Sequence, residues 1–219
     1  MNITLALAKA RFEVARKSLY FTQGVRLLQP QQAPANQSTA FTVAKDGRLF
    51  VAEKNISDES KETLAAELVR NFLHLFVHSA SRFDNFVANG MLRDVEEDRQ
   101  LHQAACDASI SSMLREMKYP LKHADGREPV TPDDIQATWG GGVDDYISHL
   151  IMQRAMGAAP EVLPGGSGTG YPLPDEPPPE QDDSDGEPDP NAVQVDALEM
   201  LEATLQKVAN DLSKDRGKL

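Results

Sequence analysis

Residues 57–82 read SDESKETLAAELVRNFLHLFVHSASR, and the fold is decided by this stretch. Ser57 offers a helix N-cap, and Asp58 and Glu59 place negative charge where a helix N-terminus favours it. Leu64, Leu68, Val69, Phe72, Leu73, Leu75, Phe76 and Val77 then put apolar side chains on almost every side, the pattern of a buried helix. One polar stripe interrupts it. Glu67, Arg70, Asn71, His74, His78 and Ser81 recur at three- and four-residue spacing and so share a face. Polar groups inside a core are costly unless they meet partners or serve a site. Function is therefore sought on that stripe.

Working outward, residues 2–28 read as helix, with Gly24 as a kink or end point. Residues 29–38, with Pro30 and Pro34, read as a polar loop. Residues 39–44 and 48–53 alternate as half-buried strands, and Lys45-Asp46-Gly47 supplies a hairpin turn. On the other side, residues 82–100 form a charged connection with a turn at Asn89-Gly90. A second helix spans residues 101–119, carries Asp107 in its apolar centre, and stops at Pro120. Thr131-Pro132-Asp133-Asp134 reads as another helix start. Gly140-Gly141-Gly142 precedes a last helix at 143–156. The expected class is α+β and mainly helical.

The chain has 219 residues, enough for one good core plus extensions. A net charge of -12 argues against nucleic acid as a partner. The single cysteine, Cys106, forbids an internal disulfide and suits a reducing, cytoplasmic setting; its own reading is a packed small residue. No apolar run approaches the roughly 20 residues that span a bilayer, and no secretory leader is legible. Composition divides the chain into a domain at 1–157, an acidic Pro/Gly-rich linker at 158–190 expected to be disordered, and a helix at 191–219 with Val193, Leu198, Leu201, Leu205 and Val208 at helical spacing. Gly165 to Gly170 lacks the lysine and preceding strand of a phosphate loop. Trp139 reads as a packing anchor.

His74 and His78 stand four apart on one helix, the histidine spacing of an H-E-x-x-H zinc site without its glutamate. Around them, LVRNFLHLFVHSASR, RQLHQAACDASISSML, VTPDDIQATWGGGVDDYISHL, GGSGTGYPLPDE and KVANDLSKDRGKL follow one another in order. That series resembles the metallopeptidase domain found before von Willebrand factor A-like domains in bacterial proteins. The resemblance implies a zincin-like organisation, a zinc-dependent peptidase ancestry, and partners such as a von Willebrand-like domain protein or a MoxR-type AAA+ ATPase.

The departures fall where the chemistry would be. In the ungapped register His74 matches the second family histidine and Asp107 the expected third ligand. Arg70 holds the first-histidine position and Asn71 the catalytic-glutamate position. Arg70 is always cationic and repels a dication, and Asn71 cannot take a proton from water. Arg70 is expected to replace the ion and to pair with Asp107. A shifted register would use His74, His78 and Asp107, with His102 as a further cleft candidate beside Glu67. The reading that follows is a catalytically degenerate module that binds without hydrolysing, with no cofactor, or zinc if the site is retained. The alternatives are an active zinc peptidase with atypical ligands and an assembly subunit recruiting a partner through its C-terminal helix.

Overall fold

A break at Ser18 divides the N-terminal helical stretch. Ser18 is extended at φ -151°, separating α1 (Ile3–Lys17) from α2 (Leu19–Leu27). The expected break at Gly24 does not occur; Gly24 lies inside α2, where the Phe72 ring takes the space of a side chain. The computed structural model describes residues 3–35, 37–44, 46–77 and 79–157. His78, the linker at 158–190 and the helix expected at 191–219 lie outside them.

The segment read as a polar loop contains a strand. β1 (Gln29–Gln32) runs parallel to β3 (Arg48–Val51), which pairs antiparallel with β2 (Phe41–Val43), giving the order β1-β3-β2. Alternation cannot find β1, because all four of its side chains are exposed and its sequence is QPQQ. Pro30 is tolerated because β1 is an edge strand. The β2–β3 hairpin stands where its alternation put it, with Phe41 opposite Val51 and Val43 opposite Leu49. Gly47 supplies the turn at φ 86°.

The deciding stretch is helix α3 (Lys61–Phe76), entered three residues later than expected. Ser60, not Ser57, is the N-cap: its Oγ accepts from Thr63 N. Ser57 instead donates its backbone N–H to Ala124 O at 2.8 Å, and so ties the helix entry to a later loop. α4 (Ser79–Ala88) occupies part of the expected connection. α5 (Glu96–Glu116) begins five residues before its apolar pattern, and its first turn holds Glu96, Glu97 and Asp98. Residues 131–136 form turns rather than a helix: Asp134 Oδ2 accepts from Thr131 N, and Gln136 takes φ 53°. α6 (Val143–Ala155) completes the described elements.

Two apolar cores share α5. One gathers α1, α2, the sheet and α3, through residues such as Val14, Val25, Leu49, Leu68 and Phe72. The other gathers Phe83, Ile147 and Leu150. Cys106, Ile110 and Leu114 face the first, while Ala104, Ala105 and Ala108 face the second. The class is α+β and mainly helical. No helix among the described residues is long and apolar enough to cross a membrane.

A Cβ on Gly24 would lie 2.2 Å from the Phe72 ring. Gly24→Ala is expected to lower stability by about 1–3 kcal/mol, and by less in a Phe72→Leu background, as read from urea midpoints at constant m.

Candidate functional site

The polar stripe of α3 is buried, not lining an open cleft. Glu67, Arg70, Asn71 and His74 are all 2% exposed or less. Across from them lie α5 and the loop 119–125. The loop answers Glu67. His123 Nδ1 donates to Glu67 Oε1 at 2.7 Å, and Ala124 N donates to the same oxygen at 3.0 Å. Burial pushes the Glu67 carboxyl up, but His123, Arg70 and the Ala124 N–H outweigh it, and the net pKa is lowered. Glu67 is the anion of the site.

Arg70 is its cation. The guanidinium is fully buried; Nη2 donates to Leu121 O at 2.8 Å, and Nε lies 3.9 Å from Glu67 Oε2. Nε and Nη1 have no hydrogen-bond partner. Burial draws its pKa down, opposed by Glu67, Asp107 and Asp125. A guanidinium still holds its proton at any ordinary pH. The expected direct pair with Asp107 is therefore not what holds Arg70. Asp107 acts on it through space, while Glu67 and a loop carbonyl make the contacts. The reason is position: Glu67 precedes Arg70 by three residues on the same helix face.

Asp107 instead meets His74, with Nε2 3.1 Å from Oδ1 and an alignment that falls short of a hydrogen bond. Both side chains are at most 1% exposed. The ungapped register thus brings together the two residues it matched. Asn71 gives its amide to the Glu67 backbone oxygen at 2.9 Å, one helical turn back.

His102 does not join them. It is five residues from Asp107, well round the helix, and it faces α4, edge-on to Phe83 and Phe86 at centroid distances of 5.6 and 5.8 Å. Cys106 Sγ lies 3.8 Å from its Nδ1. Burial, then Arg82 and His74, hold His102 down to about 4, against an opposing pull from Asp144. It is a neutral imidazole in an aromatic cage.

Comparison with protein-family models, curated proteins and solved structures gives no match. The zinc implied by the resemblance is judged on the donors alone. A catalytic zinc keeps three protein ligands and an open position. Here His74 and Asp107 supply two donors, Arg70 brings a fixed positive charge beside them, and the described residues hold no group of three His, Cys, Asp or Glu arranged for a metal. The donor set of the ungapped register does not fit; His78, which the shifted register adds, lies outside the described residues.

Two buried polar residues, one at the site and one away from it, have no signal in the sequence pattern. His123 falls in a stretch read only as loop, and no spacing links it to Glu67, 56 residues away. Asp98 is fully buried and takes Arg93 and Arg154, joining the start of α5 to the end of α6. It falls in the stretch read as a charged connection, and no spacing links it to Arg154, 56 residues away.

Two outcomes follow. Glu67→Gln leaves Arg70 without its anion and is expected to cost about 3–5 kcal/mol. Adding Arg70→Met should recover part of that loss, a non-additive cycle measured by urea unfolding. In the window between about 6.5 and about 4, the unfolded chain protonates His102 and the folded chain does not, so stability falls as pH falls. His102→Phe should flatten that part of the stability–pH curve.

Proposed function

We propose that this chain is a metallopeptidase-like module in which an arginine has replaced the catalytic ion, and that it works by binding a protein partner. The observation that carries this reading is the fully buried Arg70 guanidinium, at the position the resemblance gives to the first metal ligand. Around it, the remaining matched positions, His74 and Asp107, still touch. The order of hairpin, striped helix and carboxylate-bearing helix supports a zincin-like organisation.

Hydrolysis needs a base and an approach for peptide. Asn71 offers an amide that is already committed to a backbone oxygen, and Glu67, Arg70, Asn71 and His74 are closed to solvent. A cluster this closed leaves binding to the outer surfaces of the domain that it holds together. A von Willebrand-like domain protein or a MoxR-type ATPase is the partner class that the resemblance suggests, in a reducing cytoplasm that suits the buried thiol of Cys106.

Metal analysis of the untagged chain tests the reading. It is expected to carry less than about one-tenth equivalent of zinc, and the Arg70→His, Asn71→Glu double variant to take up about one equivalent. Stoichiometric zinc in the unaltered chain, or peptide cleavage that a chelator stops, would sink the degenerate reading. A double variant that folds and takes no zinc would sink the ancestry.

A further inference from the structure

α1 presents an apolar row to the outside of the domain. Leu5 and Phe12 are 53% and 73% exposed, and Ala8 and Ala15 complete the row at three- and four-residue spacing. Beside it runs a groove of about 900 Å³ between α1 and the edge of the sheet. Leu7, Ala8 and Arg11 form one wall, and Pro34, Val51 and Glu53 lie opposite. That size is typical of sites that take up a substantial ligand surface.

Arg11 gives the groove its sign. Nη2 donates to Leu28 O at 2.7 Å, while Nε is buried with no hydrogen-bond partner. Among the described residues no carboxylate pairs with Arg11, Glu53 included, and Arg26 adds positive charge nearby. α1 as a whole carries Lys9, Arg11, Arg16 and Lys17 against Glu13 alone.

The sequence holds a segment of the complementary kind. Residues 198–212 read LEMLEATLQKVANDL, with Leu198, Leu201, Leu205, Val208 and Leu212 alternating at three and four residues. Glu199, Glu202 and Asp211 accompany them against Lys207. A helix this short is marginal in water without a surface to cover. Residues 158–197 lie between Gly157 and this segment. Extended, they span roughly 130 Å, against a domain diameter of about 40 Å, so every face is within reach.

We propose that residues 198–212 dock in cis as an amphipathic helix on the groove beside α1, covering Ala8 and Phe12 with their apolar face and meeting Arg11 with their acids. This does not depend on how the buried cluster is read.

Amide hydrogen exchange of the full chain tests the contact. Residues 198–212 are expected to exchange about tenfold or more slowly than the same segment as a free peptide. Ala8→Asp, at an exposed position, and Leu201→Asp should each restore peptide-like rates and leave the amides of α5 unchanged. Three outcomes overturn the proposal: peptide-like rates in the unaltered chain, protection that survives Ala8→Asp, and protection that grows with protein concentration, which would mean a second copy fills the groove.

Discussion

A positive charge at the centre of the domain has to be answered from within the domain. Arg70 is among the largest fully buried side chains, and taking a guanidinium out of water costs several kcal/mol before any partner is counted. Much of the surrounding architecture is the answer. Glu67 sits one turn back on α3, the loop after α5 turns in to give Leu121 O, and Asp107 adds its field from α5. Glu67 in turn needs His123 and the Ala124 N–H. The Ala124 carbonyl then receives the N–H of Ser57, which leads into α3. The loop and the helix are therefore held as one unit by a chain of contacts that begins at one side chain.

The same arrangement shapes what the cluster can do. Glu67 and Arg70 face each other at 3.9 Å, His123 stands against Glu67 and His74 against Asp107, and these groups are closed to solvent. An open catalytic centre has a different character: it leaves one coordination or acceptor position for substrate and keeps water within reach. Burial of Glu67, Arg70, Asn71 and His74, with Asn71 tied to its own helix, keeps this part of the stripe out of solvent and accords with the proposed binding role.

How much of this was legible depended on whether a residue's partner is near in sequence. α3 and its polar stripe could be read because periodicity is local, and so could the hairpin, whose turn and alternation are adjacent. His74 and Asp107 are brought together in the sequence only through the resemblance, each at its own position in that pattern, and the structure places them in contact. The Arg70 partner was misread because charge complementarity across helices was weighed above the acid three residues back on the same helix. β1 was missed because a fully exposed edge strand has no apolar side to alternate. Asp58 and Glu59 make Ser57 read as the cap, yet Asp58 accepts from Ser60 N and Thr63 Oγ1 and so moves the helix start to the next serine. The links from His123 to Glu67 and from Asp98 to Arg154 carry no local signal, since each joins residues 56 apart in the chain.

The outermost strand has one more consequence. Gln29 and Ala33 send their N–H groups inward to the β3 side, so residues 30 and 32 point theirs the other way. One of those two is Pro30, which has none to give. The β1 edge of the sheet thus offers a newcomer a single N–H, too few for an added strand to hold register there. A composition that hid this strand from the sequence pattern also makes it a poor template for fibril growth.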